Sequence, residues 1–165
     1  MLVMAASLLA ALLTADQIGN FGAGWRMLKT QEAQSLEARR IHEELLERTG
    51  HALLTEEFES YLECFSIPLN IITLSGRKSV TSPDDLKVIF DGVSARISRF
   101  NVTHFSRNCL SAVFVGDQTI HAAHETRMVS GSVLVGPAIP AFSVIKKIGS
   151  SWKVSDQEYA VQSLE

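Results

Sequence analysis

The sequence predicts an α+β domain in which helices precede a curved antiparallel sheet, and three observations lead there. The segment "SPDDLKVIFDGVSARISRF" carries the cap and the apolar stripe of a helix. Everything after Asn101 reads as long strand-like runs separated by Gly116-Asp117, Gly131-Ser132 and Gly149-Ser150, and three successive hairpin turns make an antiparallel meander. The third observation is irregularity inside those runs. Pro137 and Pro140 in "GPAIP" delete ladder donors, while in "SWKVSDQEYAV" Trp152 and Val154 share one parity and Tyr159 and Val161 the other. A shift of pleat between Ser155 and Gln157 accounts for the second pattern, and shifts of this kind curve a sheet.

The bulk numbers agree with a single ordinary domain. A chain of 165 residues with 46% hydrophobic content is long enough and apolar enough to bury a core. Its 15 basic and 18 acidic residues leave a formal charge of -3, which offers no footprint for a nucleic-acid backbone or an anionic membrane. Neither is an expected partner. Cys64 and Cys109 stand far apart with no Cys/Cys or Cys/His spacing, so both read as small buried hydrophobes, and no disulfide, metal or cofactor is expected.

Taken in order, the elements begin with "MLVMAASLLAALLTA", an uncharged apolar run too short to span a bilayer as a helix. It has the length of a signal-peptide core but lacks the preceding basic residues. A docked helix, or a start assigned too early with Met27 as the true one, are the alternatives. Cytoplasmic localisation is the expectation, with export the alternative if residues 1–15 act as a signal. "GNFGAG" reads as a flexible break, and "TQEAQSLEARRIHEELLERTG" as a peripheral helix from Thr30 to Gly50, because Leu36, Ile41, Leu45 and Leu46 form only a partial stripe. His42, among its charges, reads as a solvated surface histidine. Residues 1–50 are therefore assigned to an apolar segment and peripheral helix, and 51–165 to the domain proper. Thr55 followed by Glu56 and Glu57 predicts a helix start, with Leu54, Phe58, Tyr61, Leu62 and Phe65 as its buried stripe. Pro68 closes that segment. "LNIITL" and "KSVT" then read as strands joined at Ser75-Gly76. In the second helix Ser82 caps, Pro83 takes the first turn, Asp85 completes a capping box, and Leu86, Ile89, Phe90, Val93 and Ile97 form the stripe.

This order of elements, with "TEEFESYLECF" opening the domain, "SPDDLKVIFDGV" as its second helix, "HETR" within the meander and "SWKVSDQEYAV" closing it, resembles the nuclear transport factor 2-like superfamily, and within it the bacterial SnoaL-like proteins. The resemblance covers about Leu53 to Val161. It implies a cystatin-like cone, in which a strongly curved antiparallel sheet wraps around the helices and encloses an apolar cavity. Members of the superfamily include isomerases, dehydratases, cyclases, epoxide hydrolases and non-catalytic binding or dimerising modules, so fold alone decides no chemistry.

The candidate residues follow from alternation along "TIHAAHETRM". Ile120, Ala122, His124, Thr126 and Met128 share one face, apolar except near its middle, while His121, Ala123, Glu125, Arg127 and Val129 share the other. His124 is the leading polar candidate for the cavity, with a hydrogen-bonded core histidine as the alternative. Glu125 and Arg127 then belong to an outward face of cross-strand pairs or subunit contacts. Tyr61 is the second candidate, because a hydroxyl on a buried stripe must find a partner. The resemblance to ketosteroid isomerase relatives implies an acid pair beside such a tyrosine, and only Asp156 and Glu63 offer themselves, without a motif. The dehydratase relatives imply two histidines with an aspartate, which His104 and His124 would imitate, and the Asp-Arg-Asp relay of the epoxide hydrolases has no counterpart. "NVT", Asn101 to Thr103, is a formal glycosylation sequon that recurs by chance. The basic residues of "SGRKSV" and "KKIGSSWK" read as solvated turns.

The expected pocket is modest and apolar, lined by Tyr61, Phe65, Phe90, His124, Phe142 and Trp152. The expected function is to bind a small hydrophobic molecule in that cavity or to serve as a dimerising module through the outer face of the meander. A cavity isomerase or dehydratase using His124 and Tyr61 is the alternative, and whether the chain is an enzyme stays open at this point.

Overall fold

The computed structural model describes residues 15–163. The chain divides into two compact units, Met1–Leu36 and Glu37–Glu165, and the core and the candidate site described below belong to the second. The run from Met1 to Thr14, on which the signal-peptide, docked-helix and start-site readings rest, lies outside the described residues. No described helix is long and apolar enough to cross a membrane.

Helix α1 spans Ala15–Leu54, so the break expected at Gly19 to Gly24 and the cap expected at Thr30 are both absent. Each glycine costs a helix about 1 kcal/mol relative to alanine, and the helix carries that cost through Gly19, Gly22 and Gly24. The part of α1 within the second unit is also not peripheral. Ala38, Ile41, His42, Leu45, Leu46 and Thr49 are buried, and their spacing of three and four is a complete helical stripe. Read through Ala38 rather than Leu36, which is exposed, the stripe passes through His42. The helix ends where Glu56 adopts a left-handed conformation (φ 58°). Thr55 therefore closes α1, its Oγ1 donating to the His51 carbonyl at 3.0 Å, and does not cap the next helix.

Helix α2 is a short piece, Phe58–Leu62, and Phe65 opens strand β1 (Phe65–Thr73) instead of continuing a helical stripe. Strand β2 (Gly76–Val80) returns antiparallel to β1. Helix α3 (Pro83–Arg99) forms as expected: Ser82 Oγ accepts from the Asp85 amide at 3.1 Å, and Asp85 Oδ2 accepts from the Ser82 amide at 3.0 Å. Its buried face is Leu86, Ile89, Phe90, Ser94 and Ile97. The meander follows as β3 (His104–Phe114), β4 (Thr119–Ser130), β5 (Val133–Ile148) and β6 (Ser151–Tyr159).

The six strands form one sheet in the order β2-β1-β6-β5-β4-β3. The meander pairs are antiparallel, whereas β1 docks parallel on the free edge of β6, which makes the sheet mixed. Both expected irregularities are present. Between β4 and β5 the register jumps from Thr126↔Ile139 to Met128↔Val135, with Gly136 at φ 75° in the loose stretch, a conformation glycine adopts without steric cost. Between β5 and β6 it passes from Ile145↔Val154 to Val144↔Asp156, leaving Ser155 as the extra residue. The sheet bends at these points and its concave face packs on α1 from Ala38 onward and on α3, around a core in which Leu69, Leu86, Ile120 and Ile145 are fully buried. The resulting α+β architecture, with an unclosed curved sheet, is the one the sequence predicts.

Candidate functional site

On the concave face of the sheet the core is incomplete. A cavity of about 100 Å³ is walled by α1, α2, α3 and five strands. Most of the wall is apolar, with Leu53, Phe65, Leu69, Ile71, Leu86, Ile89 and Met128 among its residues. Its polar groups are few and come from separate elements: Thr49 of α1, Tyr61 of α2, Arg96 of α3, Arg107 of β3, His124 and Thr126 of β4, Gln157 and Tyr159 of β6, and Ser163 beyond it.

The pleat delivers three of them. Along β4 the residues Ile120, Ala122, His124, Thr126 and Met128 are buried while their alternates are not, up to Val129, so the register expected for "TIHAAHETRM" holds. Across the ladder Cys109 pairs with His124, Arg107 with Thr126 and Phe105 with Met128, which puts Arg107 on the inner face. The bulge at Ser155 does the same for β6, turning Gln157 and Tyr159 inward, where the Tyr159 hydroxyl donates to Gln157 Oε1.

Arg107 is the group with the most demanding environment. Its Nη1 donates to the Leu46 carbonyl at 2.6 Å and to Thr49 Oγ1 at 2.8 Å, while the Thr49 hydroxyl donates in turn to the Leu45 carbonyl at 2.8 Å. The guanidinium lies over the Phe105 ring at 4.7 Å. It also packs on Gly50, where a β-carbon would meet Nη1 at 3.4 Å, so the lack of a side chain there leaves room for the charge against the helix. Burial lowers its pKa, and the nearby Tyr159 and Tyr61 hydroxyls act in the opposite sense. No described carboxylate forms an ion pair with it, and its Nε is enclosed without a hydrogen-bond partner.

Behind His124 stands His42, with ring centroids 5.1 Å apart. His42 Nδ1 lies 3.3 Å from Cys109 Sγ, while His42 Nε2 and His124 Nδ1 are enclosed without partners. Burial, with a further contribution from Arg107 and Arg39, pushes His42 down to about 4. Burial, then His42 and Arg107, pushes His124 down to about 3. Both are neutral imidazoles at neutral pH. The same burial raises the pKa of Tyr61 and takes Tyr159 up to about 12. Two of these enclosed atoms without partners, Arg107 Nε and His124 Nδ1, belong to residues that line the cavity, and the third, His42 Nε2, to the layer behind; such atoms are unusual, since native interiors satisfy nearly all polar groups with protein, water or ligand.

Of the six residues expected to line the pocket, Tyr61, Phe65 and His124 do. Phe90 is buried one layer behind, its ring 5.1 Å from Tyr61 and 5.5 Å from Phe58. Trp152 is on the inner face but at the far end of the sheet, 5.8 Å from Phe114. Phe142 is a correction: it pairs with Ala123 on the outer face and stacks edge-on against His121 at 5.4 Å, because its parity on β5 is opposite to that of the buried Ala141 and Ser143. His42, expected on the surface, is another. His104 is exposed, near Thr103, so the histidine beside His124 is His42. Asp156 points away, accepting from Asn70 Nδ2 at 2.8 Å and from Ser155 Oγ at 2.8 Å, and Glu63 pairs with Arg48 at 3.4 Å on the surface. Glu125 and Arg127 form an ion pair at 2.8 Å on the outer face.

Sequence reasoning missed Arg107, His42 and Tyr159. A signal was present for the first: Phe105, Arg107 and Cys109 alternate, and a lone cation on an apolar parity is a warning.

A bent sheet closed over helices around a small cavity defines the cystatin-like class of α+β folds. The chain has the nuclear transport factor 2-like form of that fold. A cystatin-like domain of unknown function from Nostoc punctiforme superposes with a TM-score of 0.59 at 12% identity, covering 75% of this chain and 76% of that one. A nuclear transport factor 2-like protein with a cystatin-like fold from Novosphingobium aromaticivorans gives 0.56 at 15% identity, over 90% and 92%. A nuclear transport factor 2-like protein of unknown function from Shewanella oneidensis gives 0.55 at 9% identity, over 74% and 98%. No protein-family model matches the chain, and no curated protein matches it.

Proposed function

We propose that residues 37–163 form a small-molecule-binding domain and that the cavity is its site. The observation that carries this reading is a concave, mostly apolar volume into which separate elements direct a handful of polar side chains, among them His124 and Tyr61; concavity with a few convergent polar groups is the usual signature of a ligand site. At about 100 Å³ it lies below the roughly 300–1,000 Å³ of sites for drug-sized ligands, so the ligand is a small one. His124→Phe fills part of the volume and removes a polar contact. Xenon, detected by its NMR shift against the full chain, is expected to saturate the cavity of the unsubstituted protein and to lose most of that binding in the variant. Equal xenon binding by both, or none by either, would remove the cavity as the site.

Catalysis by His124 and Tyr61 is the weaker alternative. Both line the cavity, but no carboxylate among the described lining residues joins them. A histidine held at about 3 is also far from the pKa near operating pH that suits a general base. A second role, as a homodimer through the outer face of the meander, is favoured by a cluster of exposed apolar side chains there, Leu110, Val113 and Phe142.

A further inference from the structure

We propose that the cavity takes a small carboxylate whose charge pairs with Arg107 and whose short apolar tail packs against Phe65, Leu69 and Ile89. This rests on the reading of the cavity as a binding site and adds the chemical class of its ligand.

The argument begins with charge. Two guanidinium groups, Arg96 and Arg107, line the cavity, and no described lining residue carries a carboxylate. Arginine stays protonated at any pH at which the protein is folded, so it cannot escape burial by losing its proton as a lysine would. Arg107 is half-buried with its Nε enclosed, and a cation drawn this far out of water is ordinarily paired. Arg107 has only the neutral acceptors Leu46 and Thr49, both on Nη1, and its Nε has none. Nη2 likewise makes no hydrogen bond among the described residues. The edge of the guanidinium formed by Nε and Nη2 is one of those that receive a carboxylate through two parallel bonds.

Direction follows from the surroundings. Arg107 also lines an outer groove, but that groove carries Glu43 and Glu47, which repel an anion, whereas the cavity side presents hydroxyls. Tyr61 and Thr126 are on the wall and supply donors for the remaining carboxylate lone pairs. The two histidines, neutral because burial depresses them, add no competing charge.

Size sets the rest. A dry cavity of about 150 Å³ accepts benzene, and a water occupies about 30 Å³. A volume of about 100 Å³ therefore suits a carboxylate of roughly two to four carbons by that scale and excludes a polycyclic ligand.

The test uses the full chain with sodium propionate, its neutral isostere propionamide, sodium chloride and xenon. Calorimetry is expected to show saturable binding of propionate, about tenfold or more tighter than that of propionamide, since a charge-assisted pair exceeds a neutral hydrogen bond by at least that factor. Chloride at equal ionic strength should not reproduce it. Arg107→Met should abolish the preference for propionate over propionamide. Because that variant loses its bonds to Leu46 and Thr49 and its folding is at risk, a second measurement needs no substitution: NOEs from carbon-13-labelled propionate to the Tyr61 and His124 rings of the native protein. Propionate binding without those NOEs, or binding unchanged in a folded Arg107→Met, would overturn the proposal. Xenon binding without any propionate binding would also overturn it while leaving the binding domain intact. Failure of both probes removes the two readings together.

Discussion

Two neutral imidazoles, His42 and His124, stand in contact within a protein interior and beside a guanidinium. Protonating either one places a second cation next to Arg107, and no described carboxylate lines the cavity to receive it. The linkage has a definite sign. Unfolded, each histidine has a pKa near 6.5, and folded, they are held at about 4 and about 3. Between those values the unfolded state binds more protons, so stability is complete above about pH 6.5 and falls as the pH drops toward 4. Each histidine contributes a slope of at most about 1.4 kcal/mol per pH unit in that window. Urea denaturation at pH 7.5, 6 and 5 is expected to show this decline, and His124→Phe should make it shallower. A midpoint independent of pH over that range would mean that both rings reach solvent or a proton-accepting partner. The location of His124 was legible because period-two alternation assigns a face residue by residue. That of His42 was misread because its helix face is defined by Ala38, a residue too small to mark a stripe by eye.

Among the elements, β6 does the most to build the site. One extra residue, Ser155, separates a stretch in which Val154 faces the core from one in which Gln157 and Tyr159 face the cavity. Its hydroxyl is hydrogen-bonded to the Val144 carbonyl at 3.2 Å and to Asp156 at 2.8 Å, so the bulge is a fully accommodated feature of the ladder. Deleting Ser155 would restore regular pairing with the same partners, leaving Val154, Gln157 and Tyr159 inward and Asp156 and Glu158 outward. What the variant loses is the local bend and the hydrogen bonds of the Ser155 hydroxyl. It is expected to lose about 1–3 kcal/mol in chemical denaturation while keeping its secondary structure, because a buried, hydrogen-bonded bulge is removed from over the core. A loss below about 0.5 kcal/mol, within the range of an ordinary surface change, would show that the curvature does not depend on this residue. The break in parity between Val154 and Tyr159 pointed to this bulge. The early end of α2 was harder to anticipate. Phe65 fits a helical stripe by spacing, and only the pairing of Phe65 with Val154, a partner distant in sequence, decides for a strand.

At the scale of the whole molecule, the outer face of the meander carries a row of exposed apolar side chains. Val113, His121 and Val144 stand in register across three strands, and Ser111, Ala123 and Phe142 in the next row, with Leu110 beside them at the β3 irregularity. Val113 is 50% exposed and Phe142 38%. A second copy placed on this face by a two-fold axis would bury them against themselves, and a stable contact needs about 800 Å² from each partner. Sedimentation of the full chain at micromolar concentration is expected to give a dimer, and Val113→Glu a monomer of unchanged secondary structure. A monomeric parent chain would leave this face as ordinary surface.

What the sequence by itself determined is local. Caps, turn residues and the alternation of apolar side chains act over a few residues, so the capped helix α3, the three hairpins, the bulge on β6 and the inward face of β4 are all legible in short stretches of the chain. What only the tertiary structure decided is which side chains meet. The parallel docking of β1 on β6, the burial of His42 against His124, the displacement of Phe142 to the outer face and the placing of Arg107 where no described carboxylate pairs with it each depend on partners tens of residues away. Such contacts are selected by how the whole sheet bends and closes over the helices, a condition that no short window of sequence contains.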